Sequence, residues 1–123
     1  MAPLYIIGTG PGDLSHLTEA AHQAIAEATV VIGYSLYLDL ITPLLAGKEI
    51  VATGMMQEVE RCREAIRRSR EGAVVAMVSG GDAGIYGMAG LVLELLELDA
   101  AANKTADQPE IRIIPGVSAV QAA

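Results

Sequence analysis

The sequence predicts an α/β fold: a five-stranded, mostly parallel sheet flanked by helices, in one domain spanning residues 1–123. Three observations carry the prediction. Leu4-Tyr5-Ile6-Ile7, Thr29-Val30-Val31-Ile32 and Val74-Val75-Ala76-Met77-Val78 are short continuous apolar runs, the mark of strands covered on both faces. Strand-like and helix-like segments alternate along the chain, the pattern of parallel strands joined by crossover helices. The runs also end in Gly-rich bends, above all Ser79-Gly80-Gly81-Asp82-Ala83-Gly84. In open parallel sheets such bends at the carboxyl ends of strands are where ligands bind. The alternative is a crowded crossover with no ligand.

Taken in order, Leu4–Ile7 is the first strand and enters Gly8-Thr9-Gly10-Pro11-Gly12-Asp13. Ser15 or Thr18 caps the helix that follows, with Leu17, Ala20, Ala24 and Ile25 on its apolar side and Glu19 and Glu27 on its polar side. The second strand, 29–32, is closed by Gly33. Leu36–Leu45 is a short helical stretch interrupted by Pro43, and Glu49-Ile50-Val51-Ala52 is an edge strand. Met56–Arg70 is an amphipathic helix with Gly72 as its C-cap. Arg61, Arg63, Arg67, Arg68 and Arg70 interleave there with Glu58, Glu60, Glu64 and Glu71, which reads as a solvated helix face. The unit at 74–90 starts a helix running to about Leu98, and 100–109 is a surface loop. Glu110–Ile114 is the fifth strand, and Pro115-Gly116-Val117-Ser118 turns into a last helix from Ala119. The chain stops about five residues into that helix without a capping residue, so a C-terminal half beyond it is expected.

Composition narrows the function. The core must be aliphatic, because there is no Phe or Trp and only four Tyr. Apolar residues reach 52% and mean hydropathy +0.42, an excess suited to covering by a second domain or subunit. A net charge of −7 disfavours nucleic-acid partners. No apolar run reaches membrane-spanning length, and the N-terminus lacks the basic region of a secretory signal. A single Cys62 permits no internal disulfide, and no metal-ligand cluster surrounds it. A cytoplasmic location is expected.

The chemistry is expected in three strand-to-helix bends, which a parallel sheet brings to one rim. Gly8-x-Gly10-Pro11-Gly12-Asp13 is not the dinucleotide fingerprint, because its third Gly comes one residue early. Gly33-Tyr34-Ser35 lacks the acid that would hold a ribose. No Lys follows the glycines at 80–84, as phosphate-loop chemistry requires. The rim suits a ligand that takes backbone hydrogen bonds and tolerates positive charge, such as a sulfonium cofactor.

Gly8-Thr9-Gly10-Pro11-Gly12-Asp13, Gly80-Gly81-Asp82-Ala83 and Ile114-Pro115-Gly116-Val117-Ser118-Ala119, in this order and spacing, resemble the tetrapyrrole (corrin and porphyrin) methyltransferases, class III enzymes using S-adenosyl-L-methionine. Gly33-Tyr34, Met55-Met56-x-Glu58-Val59-Glu60-Arg61 and Gly81-Asp82-Ala83-Gly84-Ile85-Tyr86-Gly87-Met88 resemble its precorrin-3B C17-methylating branch. The resemblance covers the whole chain and implies the N-terminal α/β domain of a two-domain enzyme of cobalamin biosynthesis that methylates a precorrin with ring contraction. Such an enzyme is a homodimer, and this domain alone would be inactive.

Carried over residue by residue, the resemblance implies cofactor contacts at Pro11, Gly80, Gly81, Asp82, Ile85, Tyr86, Ser118 and Ala119, and macrocycle contacts at Gly10, Gly12 and Tyr34. Asp13 is the acid–base candidate, or else simply the cap of the next helix. Asp82 serves the site or closes an Asx turn. His16 meets a substrate carboxylate or is an ordinary helix residue. Tyr34 and Tyr37 line the macrocycle or pack beneath it, and Met55, Met56, Met77 and Met88 read as core filler. Two rivals stay open: another tetrapyrrole methyltransferase, such as one acting on uroporphyrinogen III, or a non-catalytic nucleotide- or partner-binding domain.

Overall fold

Every paired strand runs parallel, in the order β3-β2-β4-β1-β5. The computed structural model describes residues 2–10, 17–80, 82–103 and 107–116, with the backbone alone at 82–84. Its elements are β1 (Pro3–Gly8), α1 (Glu19–Glu27), β2 (Val30–Tyr34), α2 (Ser35–Leu40), a 3₁₀ turn (Thr42–Leu44), β3 (Glu49–Thr53), α3 (Glu58–Arg70), β4 (Val75–Ser79), α4 (Asp82–Ala102) and β5 (Glu110–Ile114). The three predicted apolar runs are β1, β2 and β4, the inner strands. β3 and β5 form the edges and alternate between exposed and half-buried residues.

Strand order and crossover hand together place the helices. The chain steps from β1 over β4 to β2, then to β3, and returns over β2 to β4 and over β1 to β5. Right-handed crossovers put helices on one face for steps in one direction and on the other face for the reverse. The two buried clusters follow this division. Tyr5, Ile7, Val31, Ala76 and Val78 pack on Ala21, Ala24 and Ile25 of α1 and Leu38 of α2. Leu4, Ile6, Ile32, Val75 and Met77, on the opposite side of the pleat, pack on Cys62, Ala65 and Ile66 of α3 and Ile85, Met88, Val92 and Leu96 of α4.

Local chemistry sets the helix ends. Thr18 caps α1, its hydroxyl oxygen accepting from the Ala21 N–H at 3.1 Å. Leu17, Ala24 and Ile25 are buried as expected, while the stripe uses Ala21 in place of the predicted Ala20, which is exposed. α2 stops at Leu40, and Pro43 lies in the separate 3₁₀ turn, because proline has no N–H for a continuing helix. α3 starts at Glu58 rather than Met56, since Met56 takes a positive φ of 59° in the preceding turn. At its C-terminus Gly72 has φ 100°. The Gly72 N–H donates to the Ser69 carbonyl at 3.0 Å and that of Ala73 to Arg68 at 3.1 Å, a Schellman closure that needs the left-handed conformation. α4 runs four residues past the predicted Leu98 to Ala102, through Asp99, whose carboxylate ties it to α3 by accepting from Arg63 at 2.7 Å and Arg70 at 2.9 Å. Gly33 lies inside β2 rather than closing it: a Cβ there would stand 2.6 Å from Val78 Cγ2.

Gly72→Ala, strained only by its φ because the space around it is open, costs about 1–2 kcal/mol. Gly90→Ala, in open space inside α4, gains about 0.5–1 kcal/mol. Chemical denaturation of both variants checks the contrast. Hydrogen bonds from Arg63 and then Arg70 hold the Asp99 carboxyl below its usual range. Stabilisation from a depressed carboxylate is present at neutral pH and lost as pH falls through its folded-state value. Asp99→Asn therefore lowers the Tm slightly at pH 7, and the gap closes on acidification.

Candidate functional site

Helices leave β1 and β4, neighbours in the sheet, in opposite directions. Their carboxyl ends are thus a topological switch point, where helices diverge and leave a crevice. Thr9 closes the floor of this crevice: its N–H donates to the Ser79 carbonyl at 2.8 Å and its hydroxyl to the same oxygen at 3.1 Å. On the other side β5 delivers Pro115-Gly116 against the same bend. A Cβ on Gly116 would stand 2.7 Å from Gly10 N and 2.8 Å from the Gly8 carbonyl oxygen, and one on Gly8 would stand 2.8 Å from Gly116 N. Gly10 is buried with φ 76°. The ends of three strands thus meet main chain to main chain, with no Lys or Arg in residues 8–10, 79–80 or 115–116.

One strand further along, a cavity of about 460 Å³ opens beside the ends of β2 and β4. Tyr34, Tyr37, Met55, Met56, Arg61 and Leu91 line it, with Ser79 and Glu58. Tyr34 and Tyr37 meet edge to face, ring centres 5.5 Å apart at 88°. The absence of a side chain at Gly80 admits the Tyr37 ring, which a Cβ would approach to 2.5 Å.

Among the predicted site residues, the structure brings Gly10, Gly80, Ile85 and Tyr34 to this end of the sheet. Ile85 is fully buried in the first turn of α4, where its Cδ1 lies 3.5 Å from the space a Gly8 Cβ would take. Asp82 begins α4. Tyr86 is 59% exposed on α4. Pro11, Gly12, Asp13, His16, Gly81, Ser118 and Ala119 lie outside the described residues.

Two readings need correction. Met55 and Met56, taken as core filler, are 73% and 86% exposed at the cavity mouth, because the turn before α3 lifts them off the sheet; Met77 and Met88 are buried as expected. Arg61, taken as part of a solvated face, is buried. The signal was present: Arg61 shares one helical stripe with Cys62, Ala65, Ile66 and Ser69, all buried. Cys62 itself is free, and burial pushes its thiol up to about 11, which makes it a packing group rather than a nucleophile.

A parallel α/β domain with a glycine-walled crevice at its switch point has the place where open parallel sheets take their ligands. The sequence profile of the Tetrapyrrole (Corrin/Porphyrin) Methylases matches residues 3–123, and the chain belongs to that family. It is 44% identical over 120 residues to the probable cobalt-factor III C(17)-methyltransferase of Salmonella typhimurium, covering 98% of this chain and 47% of that protein. The crystal structure of the methyltransferase CobJ superposes with TM-score 0.83 at 34% identity, over 100% of this chain and 49% of CobJ. Uroporphyrin-III C-methyl transferase from Thermus thermophilus, solved with S-adenyl homocysteine, matches with TM-score 0.71 at 31% identity, over 98% of this chain and 51% of that one. The chain spans about half the length of these relatives.

The two glycine contacts differ in what they touch. Gly116→Ala presses on rigid main chain and costs about 1–3 kcal/mol. Gly80→Ala presses on a side chain, so Tyr37→Ala absorbs most of its cost. A double-mutant cycle by chemical denaturation reads this as a coupling of about 1 kcal/mol or more between positions 80 and 37.

Proposed function

We propose that this chain is the cofactor-binding half of an S-adenosyl-L-methionine-dependent enzyme that methylates C17 of a precorrin or cobalt-factor macrocycle, with ring contraction, in cobalamin biosynthesis. The observation that carries the reading is the contact of main chains at Gly8, Gly10 and Gly116 beside the Thr9–Ser79 clamp. It makes a crevice walled by peptide groups, with no Lys or Arg among the described residues of the three bends, 8–10, 79–80 and 115–116. A phosphate would lack there the Lys that a phosphate loop supplies, whereas a sulfonium ligand needs no cationic partner. The similarity to C17-methyltransferases over nearly the whole chain supports the choice of substrate.

In this reading Gly80, Gly81, Asp82, Ile85, Tyr86, Pro11, Ser118 and Ala119 hold the cofactor, which supplies an electrophilic methyl group when bound. Ile85 fills the space beneath the first bend and excludes water from it. Gly10, Gly12 and Tyr34 face the macrocycle. Asp13 takes or relays a proton. The chain's task is to align two reactants, since the macrocycle carries its own nucleophilic carbon. The native enzyme has a second domain over the crevice, forms a homodimer and works in the cytoplasm.

The test is methyl transfer by the native full-length protein, supplied with methyl-deuterated S-adenosyl-L-methionine and either precorrin-3B or cobalt-factor III. A product carrying one labelled methyl at C17 is expected by mass spectrometry and NMR. Labelling of uroporphyrinogen III instead identifies a different member of the family. Failure to bind S-adenosyl-homocysteine in calorimetry contradicts the enzyme reading altogether.

A further inference from the structure

Arg61 is 5% exposed and lines the cavity between the ends of β2 and β4 and the starts of α3 and α4. Its Nε is shut off from solvent without a hydrogen-bond partner, and no ion pair joins its guanidinium to any described residue. The other five arginines all pair with carboxylates: Arg63 and Arg70 with Asp99, Arg67 with Glu64 and Glu71, Arg68 with Glu49 and Glu64, and Arg112 with Glu110. Glu58, one turn before Arg61 on the same wall, is exposed and forms no ion pair with it.

A buried cation with no counter-charge is strongly unfavourable unless something supplies one. We propose that Arg61 is a binding residue for a peripheral carboxylate of the macrocyclic substrate. The guanidinium presents a planar fork that matches a carboxylate. The walls around it are what a flat unsaturated ring would rest on: two tyrosines set edge to face, two exposed methionines and Leu91. The same carboxylate chemistry is found at the amino-acid end of the cofactor. Placement favours the macrocycle, because the cavity lies on the β2 side of β4, whereas the contact of Gly8 with Gly116 lies on the β1 and β5 side. The inference rests on the tetrapyrrole reading of the site and adds to it the group that fixes the ring's orientation.

The test uses native full-length protein, with uroporphyrin III, its octamethyl ester and S-adenosyl-homocysteine as probes. Porphyrin binding is followed by fluorescence and S-adenosyl-homocysteine binding by calorimetry. Wild type is expected to bind the free acid more tightly than the ester. Arg61→Met weakens the acid by about tenfold or more, the loss of a charge-assisted hydrogen-bonding pair. Arg61→Lys falls between, ester binding does not change, and S-adenosyl-homocysteine binds all three proteins within about twofold, which also shows that they fold. Free-acid binding that is absent in wild type, or equal in wild type and Arg61→Met, overturns the proposal. A loss confined to S-adenosyl-homocysteine overturns it too and assigns the guanidinium to the cofactor. Failed methyl transfer with Arg61-dependent acid binding intact would sink the activity and leave this site standing.

Discussion

The architecture depends on how closely three main chains approach at the carboxyl ends of β1, β4 and β5. The parallel register brings Gly8 opposite Ser79 and Ile7 opposite Ile114, so the bends beyond them must share one small volume. Side chains there would collide with backbone, which cannot rotate away. Glycine at 8 and 116 removes the collision, Gly10 takes the positive φ of the bend, and the Thr9 hydrogen bonds to Ser79 hold the result in place. The apolar inner strands make the sheet stable, but the glycines let its end close into a crevice wall.

Helix placement follows from the same topology. Because the path runs outward from β1 to β3 and back through β4 to β5, α1 and α2 cover one face and α3 and α4 the other. The faces diverge at the β1–β4 boundary, so the crevice is a consequence of strand order. The cavity beside it arises where α3 begins: the turn at Met55-Met56 stands away from the sheet, the tyrosines of β2 and α2 close one wall, and Arg61 closes another. The peptide-walled crevice and the ring-lined cavity are chemically distinct.

Much of this was legible in the sequence because the signals are local. Continuous apolar runs marked β1, β2 and β4, and the glycine bends marked their ends. Gly72 marked the end of α3. The parts that were not legible are those decided by tertiary context. Strand order has no local signature. The charge run on α3 concealed Arg61, whose burial depends on the phase of the stripe formed by Cys62, Ala65 and Ile66 rather than on its acidic neighbours. Met55 and Met56 resembled core because methionine is apolar, but the positive φ at Met56 turns the chain outward. The length of α4 was understated because Asp99 looked like the edge of a loop, whereas Arg63 and Arg70 hold it to α3.

The central claim is that the crevice made by the first, fourth and fifth strand ends is the seat of the methyl donor. A crystal structure of the native full-length protein with S-adenosyl-homocysteine tests it most directly. The account predicts the ligand against the main chain of Gly80 and the Gly8–Gly10 bend, with Ile85 beneath it. A ligand seated on the outer face of either helical layer, away from these bends, would contradict it.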